Sequence, residues 1–165
     1  MSQCPAWFPP GYSAGNGPLA KVLDPAPVDF HEQARQEQRS VYALYNAITL
    51  GVPGTAMQAY AQTLNEDERW ALAFQVSNYL ADDQTRRAGA AFWSKDQYRA
   101  QFPSLRQVTN LSPRQASATL GTEGVQVLAY LRSNPAQVMS KESPLVLSER
   151  LLNESLARYQ EGQAE

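Results

Sequence analysis

Few side chains in this sequence can carry catalytic or metal-binding chemistry, and they are far apart along the chain. The 165 residues include a single cysteine, Cys4, and a single histidine, His31. Met57 lies in the segment Gly54-Thr55-Ala56-Met57, and a lone methionine in a loop usually fills a gap in the core. One cysteine excludes an intramolecular disulfide and a cysteine-rich zinc site. We therefore expect isolated ligands rather than a catalytic set, and no enzyme activity.

The densest group of hard ligands is the acidic run Glu66-Asp67-Glu68. Carboxylates suit iron and other hard cations. However, these residues directly follow Asn65, a good helix cap, and the helix dipole favours negative charge on the first turn. We interpret the run as the start of a helix rather than as a metal site. His31 is likewise interpreted as a surface residue on the first turn of a helix.

Charge and hydropathy exclude several classes of function. The net charge is −2 and the basic residues are scattered, so the sequence lacks the basic patch of a nucleic-acid-binding protein. No apolar run approaches the roughly 18–20 residues that a membrane-spanning helix needs. The start, Met1-Ser2-Gln3-Cys4, has neither the basic residues nor the apolar stretch of a signal peptide. Read literally, the sequence predicts a cytoplasmic protein without a transmembrane segment.

The elements that would position these side chains are helices. Residues 1–30 are rich in Pro and Gly and predict loops, with one helical turn near 19–23. After them, apolar spacing of 3.6 residues predicts helices and no sheet, so the fold class is all-α. The predicted helices lie near 32–50, 65–81, 86–93, 94–102, 112–118, 122–133 and 144–160. A polar junction at 82–87 suggests two domains, 1–82 and 83–165.

Three local features of the sequence support individual helices of this prediction. Val41, Leu44, Tyr45 and Ile48 line one apolar face. The segment Ser112-Pro113-Arg114-Gln115 combines an N-cap, a proline at the first helical position and a capping-box glutamine. We expect Trp70 to be buried against the helix of 41–48, so that Trp70→Ala would cost roughly 3–5 kcal/mol.

Several segments resemble those of one family, in the same order and at similar spacing. They read Arg39-Ser40-Val41-Tyr42-Ala43-Leu44-Tyr45, Gly54-Thr55-Ala56-Met57 and Glu68-Arg69-Trp70-Ala71-Leu72-Ala73-Phe74 in the first half, and Leu111-Ser112-Pro113, Leu128-Ala129-Tyr130-Leu131-Arg132-Ser133 and Glu154-Ser155-Leu156-Ala157-Arg158-Tyr159 in the second. The first set resembles the cytochrome c-like region at the front of bacterial high-affinity iron permeases. The second resembles the helical linker that precedes their membrane domain. Together the resemblance covers about residues 12–160.

The resemblance implies an electron-transfer protein with haem c. Cys4 would be a thioether attachment point and Met57 the distal iron ligand. The family's attachment motif, Cys-x-x-Cys-His, is degenerate here, because Trp7 and Phe8 replace the second cysteine and the histidine. We therefore expect no stable covalent haem in this chain.

The resemblance also implies partners and a location. The partner would be the iron permease membrane domain or a redox protein, in the periplasm or at the membrane. Two interpretations follow. The chain is either a cytochrome c-like region of an iron uptake system, deficient in haem, or a haem-free helical module that docks to a membrane partner or acts as a spacer.

Overall fold

The computed structural model describes residues 13–138, and this part of the chain is all-α, as predicted. It contains helices and no strand between those residues. The α-helices are α1 (Gln33–Gln36), α2 (Val41–Leu50), α3 (Glu66–Ser77), α4 (Asp83–Trp93), α5 (Asp96–Gln101), α6 (Leu105–Asn110) and α7 (Pro113–Ser133). Short 3-10 helices occupy Ala20–Val22, where one turn was expected, and Pro135–Gln137. Cys4 and the helix predicted at 144–160 lie outside the described residues.

The helix predicted over 32–50 is two helices. α1 ends at Gln36, and α2 begins again after Ser40, whose hydroxyl accepts a hydrogen bond from the backbone N–H of Ala43 at 3.0 Å. A serine in this position satisfies one of the free N–H groups of the first turn and favours a new helix start. The prediction of one helix was wrong because it did not take Ser40 as a cap, although the apolar face begins only at Val41.

Two predicted helix starts carry complete capping boxes. The Asn65 side chain accepts from Glu68 N, and the Glu68 carboxylate accepts from Asn65 N, both at 2.9 Å. Ser112 and Gln115 form the same reciprocal pair at the start of α7. The acidic run at 66–68 thus begins a helix, as interpreted from the sequence.

Other boundaries differ from the prediction. α3 ends at Ser77 rather than at 81, and α4 begins at Asp83 rather than at 86, because Asp82 caps it through Thr85 N at 2.8 Å. The helices expected at 112–118 and 122–133 are the two arms of α7, which is kinked at Gly121 with φ of +70°. Helix α6 was missed, because six residues are too few to show a helical period.

Two groups of buried apolar side chains form the interior. The α2–α3 core consists of Val41, Leu44, Tyr45, Ile48, Leu64, Leu72, Ala73 and Val76. The α4–α7 core consists of Trp93, Tyr98, Phe102, Leu105, Val108, Ala116, Val127, Leu128 and Leu131. Phe74 packs against both cores and joins them.

Polar contacts also join the two halves across the suggested boundary at residue 82. Arg114 N donates to the carbonyl of Glu37 at 2.8 Å, and Ser133 Oγ donates to the side-chain oxygen of Asn78 at 3.1 Å. The division into domains 1–82 and 83–165 stays a prediction, since each core lies on one side of it while these bonds cross it. None of the described helices has the length and apolar character needed to cross a membrane.

Candidate functional site

Met57, the ligand predicted from sequence, lies in the loop that connects α2 to α3. The carbonyl of Met57 accepts from Val52 N at 3.0 Å, and Met57 N donates to Thr55 Oγ1 at 3.1 Å. Thr55 Oγ1 in turn donates to the carbonyl of Val52 at 2.8 Å. The loop therefore folds back on itself and holds Met57 beside Val52.

A glycine makes this compact turn possible. Gly51 has φ of +72°, a conformation that side chains other than glycine rarely adopt. A Cβ at this position would lie 2.7 Å from the carbonyl oxygen of Met57. Beyond the turn, Tyr60 N donates to the carbonyl of Ile48 at 3.0 Å and ties the loop to α2. The position of Met57 is thus fixed by backbone geometry.

Apolar side chains are exposed in this loop and at the end of α2 directly before it. Leu50 is 72% exposed, and Val52 and Met57 are each 38% exposed. We call the surface formed by Leu50, Val52 and Met57 the Met57 loop surface. Contiguous exposed apolar surface can mark a contact site for another molecule, and these three residues lie close together along the chain.

His31 and Met57 are not brought together as a ligand pair. The His31 ring is occupied on both nitrogens: Nε2 lies 2.9 Å from Ser13 Oγ, and Nδ1 lies 3.1 Å from the carbonyl oxygen of Tyr79. His31 also packs against the Tyr79 ring, with 5.6 Å between centroids. This histidine therefore holds the segment before α1 against the end of α3.

The residues of this chain do not fit haem c. Covalent attachment takes two cysteine thiols and an axial imidazole. The sequence has one thiol, Cys4, and its one imidazole is hydrogen-bonded at both nitrogens in the structure. Met57 alone offers a weak thioether ligand. Among residues 13–138, no three His, Cys, Asp or Glu side chains meet where a metal ion could bind.

Trp70 packs on α2 as predicted, but it is only partly buried. Its ring stacks on Tyr45 with 4.1 Å between centroids and an interplanar angle of 16°. The Arg69 guanidinium lies 5.6 Å from the centre of the Tyr45 ring, and it donates to the carbonyl of Leu64 at 2.8 Å and to the Tyr45 hydroxyl at 3.3 Å. The stack packs α2 against α3, the two helices that the Met57 loop connects.

Sequence reasoning missed Arg132, the most unusual charged residue of the described chain. Its side chain is buried, with 4% exposure, and Nη2 donates to the carbonyls of Arg39 and Leu111 at 3.1 and 3.0 Å. Burial lowers the pKa of Arg132 to about 10, so the guanidinium stays charged at neutral pH. None of the carboxylates whose side chains the structure describes forms an ion pair with it.

Arg132 borders a cavity of about 610 Å³ between the segment around α1, the end of α3 and α7. One sequence signal could have found it. Arg132 follows Leu128 by four residues and Val125 by seven, so it occupies a position on the apolar face of α7. A charge on such a face is either paired or faces an interior site.

No protein-family model, curated protein sequence or solved structure matches this chain. The resemblance to the cytochrome c-like region of iron permeases therefore stays a prediction from the short segments quoted above.

Proposed function

We propose that this chain is a helical accessory module of an iron uptake system that works without covalent haem. In this proposal the Met57 loop surface docks on a membrane partner, the iron permease domain that the resemblance implies. The observation that carries the proposal is the exposure of Val52 and Met57 on one hydrogen-bonded loop, with Leu50 exposed at the end of α2 directly before it. The module transmits no electrons itself and performs no catalysis.

The geometry of the loop supports docking because the apolar side chains need little reorganisation before contact. Backbone bonds between Val52, Thr55 and Met57 already fix the turn, and Gly51 allows its close approach. A surface fixed before binding loses less conformational entropy on association than a mobile one. Methionine also adapts its shape to a partner, which suits it to a contact surface.

The competing function is electron transfer, with haem c held by Cys4 and Met57. It is favoured by one feature of the loop, since the Met57 side chain is accessible in the Gly-Thr-x-Met context of the resemblance. The donor set argues against it, because attachment lacks a second thiol and His31 is engaged elsewhere. A docking module needs neither group.

A binding measurement tests the docking function. The membrane domain of a bacterial high-affinity iron permease would be placed in lipid nanodiscs and titrated with the full chain. The double variant Leu50→Ser/Met57→Ser removes the apolar contact, and we expect it to weaken binding about tenfold or more, as loss of a central apolar contact does. The turn itself should persist, because its bonds come from the backbone and from Thr55.

The matched control is Leu19→Ser/Val22→Ser. These two side chains are 68% and 77% exposed, against 72% for Leu50 and 38% for Met57, so the control removes at least as much exposed apolar surface from a different segment. We expect it to bind within about twofold of the unsubstituted chain, as peripheral contacts do. Equal loss in both variants, or no binding by the unsubstituted chain, would contradict docking through the Met57 loop surface.

A further inference from the structure

The guanidinium of Arg132 has hydrogen-bonding capacity that the fold leaves unused. A guanidinium carries five N–H donors. The structure uses Nη2 for the carbonyls of Arg39 and Leu111, while Nε is buried without a partner among the described residues. An arginine kept only to hold two loops together would leave an uncompensated charge in the interior, which is costly. A bound anion would supply the missing charge.

The cavity beside Arg132 has two kinds of wall. Its apolar wall is built by Leu80, Ala81, Pro113, Val125, Leu128 and Ala129. Its polar side includes the hydroxyl-bearing Ser77, Thr85, Ser117 and Thr122. A volume of about 610 Å³ lies within the range of sites for small organic ligands, which combine mostly apolar walls with a few polar anchors.

The charge balance of the cavity favours an anion. Two arginines, Arg114 and Arg132, line it, against one glutamate, Glu37, and the hydrogen-bonded His31. Arg114 is exposed and lies at the rim, whereas Arg132 is buried. Arginines at both depths would attract a negative group and then hold it away from water, where a charge-assisted hydrogen bond is strong.

We propose that this cavity binds a small organic acid. Its carboxylate pairs with Arg132, and its apolar body lies against Leu80, Val125 and Leu128. Nη2 already donates both of its N–H groups to carbonyls, so the carboxylate accepts a charge-assisted hydrogen bond from the remaining N–H groups of Arg132. A phosphate dianion would need more donors than one buried arginine and would gain nothing from the apolar wall. This inference is independent of docking through the Met57 loop surface.

Calorimetric titration of the full chain with octanoate tests the proposal. Octanol, which has the same apolar body without the charge, and inorganic phosphate, which has charge without the apolar body, are titrated alongside. We expect octanoate to bind and octanol to bind about tenfold more weakly or worse, as expected when a charge-assisted hydrogen bond is lost. Phosphate should give no measurable binding. Absence of octanoate binding, or equal binding of octanol, would overturn the proposal.

Variants locate the ligand. Ala118 lines the cavity and is exposed, so Ala118→Phe should block it without disturbing the core, while Thr119→Phe on the adjacent position outside this cavity is the control. We expect octanoate affinity to fall about tenfold or more in the first variant and to stay within about twofold in the second. Unchanged binding in Ala118→Phe would place the ligand elsewhere and overturn the proposal.

Charge variants complete the test. Arg132→Gln should abolish octanoate binding while leaving the residual binding of octanol, a readout that a purely structural role would not produce. Since Arg132 also holds two carbonyls, this variant is informative only if its circular dichroism matches that of the unsubstituted chain. Arg114→Gln, at the rim, avoids that difficulty and should weaken octanoate about threefold, with Arg106→Gln as an exposed control outside the cavity. Equal octanoate affinities for Arg114→Gln and Arg106→Gln would contradict anion binding at this position.

Discussion

The two cores of this molecule are packed in different ways. In the α4–α7 core the helices approach so closely that a Cβ at Gly89 would lie 1.9 Å from the carbonyl oxygen of Gln126. In the α2–α3 core the contact is a stack of partly exposed rings, Trp70 on Tyr45. Buried polar atoms without a described hydrogen-bond partner also gather on these two helices, among them Thr49 Oγ1, Glu66 Oε1 and Trp70 Nε1.

This difference assigns most of the stability to one part of the molecule and the proposed docking surface to the other. Close packing of buried apolar groups gives the largest and least adaptable contribution to stability, so α4 and α7 form the rigid part of the molecule. The α2–α3 region is held by fewer fully buried side chains, and it carries the exposed Met57 loop surface. Surfaces that bind partners are commonly carried by loops on a well-packed scaffold.

Truncation in the α4–α7 core should have the largest effect. Phe102 is 1% exposed and belongs to the α4–α7 core. Phe102→Ala leaves a cavity, and we expect it to lower the free energy of unfolding by roughly 3–5 kcal/mol. Denaturation with guanidinium chloride measures this change. A loss below about 1 kcal/mol would show that this core is not closely packed.

Adding one methyl group between α4 and α7 should cost somewhat less. Gly89→Ala places a Cβ against the backbone of Gln126, which cannot move aside as a side-chain tip can. We expect a net loss of about 2–3 kcal/mol, although alanine favours the helix. Ala91→Gly, at an exposed position of the same helix, should cost only about 1 kcal/mol through propensity. If Gly89→Ala stabilised the protein, the close approach of α4 and α7 would be wrong.

Substitutions at Trp70 should show the looser packing of the other core. Because the ring is partly exposed, Trp70→Ala should cost about 2–3 kcal/mol, below the 3–5 expected for full burial. Trp70→Phe should cost about 1 kcal/mol or less, since it keeps a ring on Tyr45 and removes the buried N–H that has no described partner. Equal losses for the two variants, measured by chemical denaturation, would assign the stabilisation to the indole nitrogen rather than to the stack.

The smallest effect concerns the cap at the junction of the two halves. Hydrogen bonds from Thr85 hold the pKa of Asp82 below its usual value. A carboxyl with a lowered pKa in the folded state stabilises above its unfolded pKa of about 3.9 and loses that contribution as the pH falls through the folded value. Asp82→Asn keeps a good cap without a titrating group. Melting temperatures should therefore fall less between pH 5 and pH 2 in Asp82→Asn, and parallel curves would contradict this role.

Local signals in the sequence predicted much of the fold. The caps at Asn65 and Ser112 fixed the starts of α3 and α7, because a capping box depends on residues three apart. Features that depend on residues distant in sequence were missed. In the sequence Gly89 is an ordinary helical glycine, and only the fold places Gln126 against it. The hydrogen bonds that hold the buried Arg132 likewise come from Arg39 and Leu111, far away in the sequence.

The candidate site was predictable only in part. The segment around Met57 contains the glycine and threonine that shape its loop, so its position between two helices followed from the sequence. Its exposure beside Leu50 and Val52 did not, because periodicity gives no information on loop packing. Trp70 was expected to be buried and is partly exposed, since the stack with Tyr45 leaves one part of the ring in water.

Haem staining after denaturing gel electrophoresis tests most directly the claim that this chain works without covalent haem. The chain would be exported in a host with cytochrome c maturation proteins, beside the variant Trp7→Cys/Phe8→His, which restores the second thiol and the imidazole. We predict no haem band from the unsubstituted chain, because Cys4 is its only thiol. Any band should come from the double variant alone. A covalent haem band from the unsubstituted chain would contradict the proposed function and favour the competing one, electron transfer.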